Sequence, residues 1–270
     1  MTADEAGPEP ELIPEPAQPA PVAPDELHHL LGRLQHLLDP DRDAIRRMEQ
    51  RMEPAWRRAT RGEPRLPVII AALGTIALEL MLPARVAERP RWVFGLVALL
   101  LLGAIYIANP KRIDRPSPRL RIASMALIAL LSANNAASAV RLVLDLTRAQ
   151  GIRSPAALLL TGAAIWLTNV VVFSLWYWEL DRGGPGARAI GASPYPDFLF
   201  PQLTSPGLAP DDWEPAFVDY FYMSFTNATA FSPTDVMPMS RWAKLTMLLQ
   251  SAISLVTVVL VIARAVNILK

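Results

Sequence analysis

Cysteine is absent from all 270 residues, so disulfides, thiolate nucleophiles and thiolate metal sites are excluded and no redox compartment is implied. Histidine is nearly as scarce. His28, His29 and His36 all fall in one segment, where His29 and His36 lie seven residues apart without a third ligand nearby. No His-Glu-x-x-His, Gly-x-Ser-x-Gly or Walker pattern occurs, nor the paired membrane aspartates of an intramembrane protease, so no enzymatic activity, metal or cofactor is expected. Neither sign of charge predominates: 26 Lys and Arg against 25 Asp and Glu leave a net +1, which gives no reason to expect nucleic acid as a partner. The amino terminus also lacks a positive region followed by an apolar core, and no signal peptide is expected.

What the chain has in quantity is apolar sequence, distributed unevenly. Hydrophobic residues make up 52% of the chain and mean hydropathy is +0.25, although the first 65 residues are strongly polar. The remainder predicts an all-α integral membrane protein whose principal partner is the lipid bilayer. Residues 1–24 carry seven prolines (Pro8, Pro10, Pro14, Pro16, Pro19, Pro21, Pro24) and only acidic charges, the composition of a disordered tail with polyproline character. Residues 25–65 read as an amphipathic and basic helical region. Asp25 is placed to cap it, and Leu27, Leu30, Leu31, Leu34, Leu37 and Leu38 form one stripe ahead of a run of arginines from Arg46 to Arg65.

Five spans are expected from there: Leu66 to Pro83, Trp92 to Ala108, Leu120 to Leu146, Pro155 to Trp178 and Leu245 to Leu269. The first three form a membrane bundle over residues 66–154, joined by short charged links that imply antiparallel neighbours. Residues 155–270 hold the fourth span, a long Gly- and Pro-rich loop from Glu179 to Asp212, an aromatic half-length helix, a polar turn and the last span. A polar, Pro-containing backbone beside a spanning helix is tolerated at membrane depth only where protein or water satisfies its N–H and C=O groups. The turn therefore either re-enters the membrane or lies on its surface.

Polar residues inside the spans are the next signal, because each costs insertion energy unless it faces protein or water. In the third span Asn134, Ser138, Arg141 and Asp145 recur on one helical face, with Asn135 beside them and with Glu79 and Asn169 as candidate partners on the first and fourth spans. Such a face serves either as interhelical glue or as a relay for protons or ions. In the last span Thr246, Gln250, Ser254 and Thr257 form a second stripe, extended by Arg264 and backed by aliphatic residues. It suits a water-filled conduit and tight helix packing equally.

Ser224-Phe-Thr-Asn-Ala-Thr-Ala-Phe-Ser-Pro-Thr-Asp-Val-Met-Pro238 resembles the pore-loop signature of the potassium-channel superfamily, with Ser224, Thr229, Asp235 and Pro238 on the family's positions. Ser240-Arg-Trp-Ala-Lys244 resembles the start of that family's inner helix. The resemblance implies an outer helix in the fourth span, a turret over Glu179 to Asp212, a pore helix over Trp213 to Thr226, a homo-tetramer and a monovalent cation as the conducted species. The filter glycines of the family correspond to Ser232 and Thr234, and its tyrosine to Pro233. Glycine takes left-handed angles there, at a cost of ~1–2 kcal/mol for other residues, so a potassium filter of the usual geometry is not expected. Within Thr229, Ala230, Phe231, Ser232, Pro233, Thr234 and Asp235, the side-chain oxygens of Thr229, Ser232, Thr234 and Asp235 are the better candidates for a narrow ring. Asp235 would then supply a ring of negative charge that favours cations; a turn-capping role fits it equally.

A second resemblance covers nearly all of the membrane part. Asp197-Phe-Leu-Phe-Pro201, Asp219-Tyr-Phe-Tyr-Met-Ser-Phe-Thr226 and the terminal Ala265-Val-Asn-Ile268 are similar to a bacterial predicted-membrane-protein family with a domain of unknown function. It implies a multi-pass protein of the bacterial plasma membrane and no particular activity. The two most basic flanks, Arg47 to Arg65 and Lys111 to Arg121, both belong on the cytoplasmic side, which with five spans would bring the pore-like turn in from the cytoplasm. The two readings carried forward are a channel-like oligomer with a filter unlike that of potassium channels, and a non-conducting membrane scaffold.

Overall fold

The structure, a computed structural model, describes residues 54–84, 86, 91–109, 112–148, 152, 154–205, 207, 209–210, 213–229 and 235–269. The described residues belong to one compact unit, Glu53–Lys270. The Pro-rich tail and the leucine-striped helix with its histidines lie outside the described residues. Residues 54–65 do not continue a basic helix. They form a 3-10 turn at Ala55–Arg57 and a strand, β1 (Glu63–Pro64), paired antiparallel with β2 (Arg112–Ile113). Pro54, Gly62 and Pro64 interrupt helical hydrogen bonding, and Gly62 sits at φ +73° with its Cα against the Ile113 carbonyl, leaving no room for a Cβ.

The helices are α1 (Leu66–Met81), α2 (Arg91–Ala108), α3 (Pro118–Thr147), α4 (Pro155–Leu180), the short α5 (Pro185–Ala189) and α6 (Pro201–Thr204), α7 (Phe217–Thr229) and α8 (Arg241–Leu269). Three stretches are long and apolar enough to cross a membrane: Pro118–Thr147, Pro155–Gly183 and Arg241–Ile268. Leu66–Met81 and Trp92–Ala108 are apolar but shorter. At ~1.5 Å per residue α1 extends ~24 Å, less than a ~30 Å hydrocarbon core.

Burial follows helical spacing. Ala72, Thr75, Ile76 and Glu79 form the inward stripe of α1. On α8 the inward stripe is Ala243, Gln250, Ser254, Thr257, Val261 and Ala265, while Leu248, Leu249, Leu255, Val256, Val259 and Ile262 remain exposed opposite. The central helix is α4, which packs on α1, α3, α7 and α8 and is buried continuously from Thr168 to Leu175. It approaches α8 closely at Gly162, where an added Cβ would lie 2.8 Å from both Val261 methyl groups. Helix crossings of this closeness select small residues.

The order of contacts sets the direction of each element. Trp178 packs edge-on against Phe217, and further along Trp166 packs against Phe225, so α4 and α7 are antiparallel. Ser224 bonds Gln250, and Ala228 accepts from Ser254, so α7 and α8 run parallel. By Met237 the chain is back at the end where α7 began: β4 (Met237–Pro238) pairs with β3 (Phe198–Leu199), and Met239 N–H donates to the Asp197 carbonyl over 2.8 Å. Helix α7 begins at Phe217 instead of Trp213. The Asp219 carboxylate accepts from Ala216 N–H at 2.8 Å, and Pro215 has no N–H to extend the helix backward.

Candidate functional site

Parallel packing of α7 on α8 creates a polar seam inside an otherwise apolar bundle. Gln250, fully buried, lies at its centre. Its Nε2 donates to the Ser224 hydroxyl at 2.6 Å and the Ser224 carbonyl at 3.0 Å. Its Oε1 accepts from the Tyr177 hydroxyl at 2.7 Å and Asn227 Nδ2 at 2.8 Å. All four hydrogen-bonding positions of the amide are filled, which also determines which way round it sits. The Ser224 hydroxyl passes the chain on to the Val170 carbonyl at 2.6 Å, tying α4 to α7.

The same stripe terminates α7. The last carbonyls of a helix have no intrahelical partner, and in an apolar interior they must find one. Here Thr226 O accepts from the Thr229 hydroxyl at 2.9 Å, Asn227 O from Ser251 at 3.1 Å and Ala228 O from Ser254 at 2.6 Å. Ser254 in turn accepts from Trp166 Nε1 at 2.6 Å. Gln250 and Ser254 therefore face α4 and α7 of their own chain instead of an open lumen. Thr246 and Thr257 bond carbonyls of their own helix, Thr257 to Ile253 O at 2.8 Å and Thr246 to Trp242 O at 3.0 Å. Arg264, expected to extend the stripe, is half-buried. Of the turn, Thr229 is half-buried and Asp235 is exposed, while Ala230, Phe231, Ser232, Pro233 and Thr234 lie outside the described residues.

The polar face of α3 meets the partner expected on α1. Glu79 Oε2 accepts from Asn134 Nδ2 and, at 3.4 Å, from the Ser138 hydroxyl. Arg141 reaches the Val86 carbonyl at 3.3 Å, Asp145 is half-buried, and Asn135 on α3 and Asn169 on α4 are buried. Glu79 Oε1, Asn135 Oδ1 and Asn169 Nδ2 are buried without a hydrogen-bond partner among the described residues.

A third polar cluster escaped sequence reasoning. It closes the end of the bundle from which α7 and α8 both start. Arg188 lies 2.6 Å from Glu63, donates to the Trp178 and Asp181 carbonyls at 2.6 and 2.9 Å, and stacks over the rings of Trp178 and Tyr220. Burial, the largest single influence, lowers the pKa of Arg188, but Glu63, Tyr220 and Asp181 together outweigh it and the guanidinium is held above its ordinary value. Asp181 accepts from the Tyr220 hydroxyl at 2.6 Å and from the backbone of Asp197 and Phe198. Asp197 accepts from Trp242 Nε1 at 2.8 Å, which fixes the start of α8. The signal in the sequence was the charged pair Asp181-Arg182 directly after the aromatic end of α4, but nothing in the spacing names Glu63 as the distant counter-charge.

No known protein family, curated protein or solved structure matches this chain. Its chemistry is therefore read from geometry alone.

Proposed function

We propose that this protein is a channel-like membrane protein in which α4, α7 and α8 act as outer helix, re-entrant pore helix and inner helix, assembled as a homo-oligomer around a cation pathway. One observation carries the reading: α7 runs beside α8 as far as Ser254, and by Met237 the chain has returned to the end it left. Placed in a bilayer with α3, α4 and α8 as spans and α1 and α2 as two shorter ones, α7 descends partway and ends at depth. The carboxyl end of a helix carries a partial negative charge of about half an elementary unit, which favours a cation beyond it. The hydroxyls of Thr229, Ser232 and Thr234 and the carboxylate of Asp235 are the oxygens available along the turn. The exposed aliphatic face of α8 would face sister subunits and the pathway below the turn.

Arginines and lysines concentrate at the end where α7 begins, among them Arg57, Arg61, Arg112, Arg115, Arg119 and Lys244, so that end is assigned to the cytoplasmic face of a plasma membrane. The turn then enters from the cytoplasm. A second reading, a non-conducting scaffold, is favoured by one fact: the hydrophilic side of α8 is engaged by α4 and α7. Flux of monovalent cations from vesicles carrying the purified protein decides between them. Leak that falls when Asp235 is changed to Ala supports the channel, and vesicles that stay tight at several oligomers each reject it. Single cysteines introduced into this cysteine-free chain and labelled from each side test the orientation independently.

A further inference from the structure

The basic end holds a second feature that neither conduction nor scaffolding uses. A cleft of about 780 Å³ opens between the first turn of α3 and the corner where α4 gives way to α5. Its charged lining is Arg65, Arg115, Arg121 and Arg182 against a single carboxylate, Glu179. We propose that this cleft binds a phosphate group, presented either by the headgroup of an anionic lipid or by a soluble phosphate ester.

Four observations on the cleft agree. Arg65 and Arg182 are each 6% exposed; Arg65 donates to the Ile105 carbonyl, and Arg182 pairs with Asp181 and donates to the Trp56 carbonyl, yet one nitrogen of each, Arg65 Nε and Arg182 Nη2, has no hydrogen-bond partner among the described residues. A buried donor left unpaired is costly, and one belonging to a cation more so, which an entering anion would relieve. Burial also pulls Arg65 below the ordinary arginine value, with Glu179 acting in the opposite sense. The amino end of the 30-residue α3 lies in the wall: Ser117 makes no side-chain cap and Pro118 occupies the first turn, so backbone N–H groups and the positive end of the helix dipole are left for a ligand. The remaining wall is apolar, and Ile122, 67% exposed, continues it onto the side of α3 that follows the span. Cation, free N–H groups and adjoining apolar surface together match a phosphate carried on a glycerol or similar body. The volume lies within the range of small-molecule sites.

Arg115 and Arg121 are exposed, so their replacement by Gln leaves the buried framework intact, and Arg119, exposed on the same helical turn but outside the cleft, is the control. The full chain is offered phosphatidylglycerol in nanodiscs, with diacylglycerol as the phosphate-free comparison, and separately glycerol 3-phosphate and inorganic phosphate in solution. Bound lipid is counted by native mass spectrometry and soluble binding by calorimetry. The expected result is saturable binding of a phosphate-bearing probe that R115Q/R121Q weakens by about ten-fold or more and R119Q leaves within about two-fold. Binding of phosphatidylglycerol alone assigns the source to the membrane, and binding of glycerol 3-phosphate assigns it to a soluble ester. Absence of saturable binding by every phosphate probe, or an equal loss in R119Q, overturns the proposal. The single variant R121Q provides the same test should the double variant unfold.

Discussion

Gln250 on α8 and Ser224 on α7 hold each other through two hydrogen bonds from one amide nitrogen, at 2.6 and 3.0 Å, in the interior of the bundle. Changing Gln250 to Leu keeps the volume but takes the Tyr177 hydroxyl's partner away, while Asn227 Nδ2 keeps the Met247 carbonyl and the Ser224 hydroxyl keeps the Val170 carbonyl. Individual polar contacts in membrane proteins average ~0.6 kcal/mol, but four lost hydrogen bonds, one of them leaving a buried hydroxyl unpaired, raise the expected loss to roughly 2–3 kcal/mol. Thermal unfolding in detergent checks it, and Gln250→Glu should fall between wild type and Leu.

Ser254 accepts from Trp166 and donates to Ala228, so it links α4, α8 and the end of α7. A double-mutant cycle of Ser254→Ala with Trp166→Phe should give a coupling of about 0.5–1.5 kcal/mol in chemical denaturation. Additive losses would mean the two side chains act independently.

Gly162 leaves no space for a side chain beside Val261. Gly162→Ala should destabilise by ~1–3 kcal/mol through overpacking, and Val261→Ala on that background should recover part of the loss. The readout is the melting temperature of the single and double variants.

Glu63 and Arg188 are 125 residues apart in sequence and buried together, with side chains 7% and 1% exposed. Removing one charge leaves the other desolvated, so Glu63→Gln or Arg188→Met should each cost roughly 3–5 kcal/mol, while the combined change costs less than the sum. Folding yield and unfolding of the three variants test this.

Burial raises the pKa of Glu214 above its ordinary value of 4.5, with a Thr60 hydrogen bond opposing the shift. The folded chain thus holds this proton more tightly than the unfolded one. The stability this gives is fully present below the ordinary value and is lost as pH rises from there through the raised value. Glu214→Gln should flatten that part of the stability profile and increase stability at neutral pH, measured by unfolding at a series of pH values.

Much of this architecture was legible in the residues. Apolar runs located all five long helices to within a few residues, and the four-residue spacing of Asn134 and Ser138 identified the face that meets Glu79. The spacing of Gln250, Ser254 and Thr257 identified a polar stripe but not its direction, because the period of a helix fixes which residues share a face and says nothing about what that face meets. Tyr177, Asn227, Ser251 and Trp166 lie outside both stripes, and each gains its partner only from groups on other helices. Glu63 was hidden in a basic stretch for the same reason.

The sequence by itself determined the helices, their lengths and the apolar character of the part that follows residue 65, because backbone hydrogen bonding and side-chain periodicity are local properties. Only the tertiary structure decided that α7 lies parallel to α8 and that the hydroxyls of Ser251 and Ser254 satisfy the last carbonyls of α7. That outcome depends on the packing of both helices against α4, where burial makes every unpaired polar group costly and so selects the one register that pairs them.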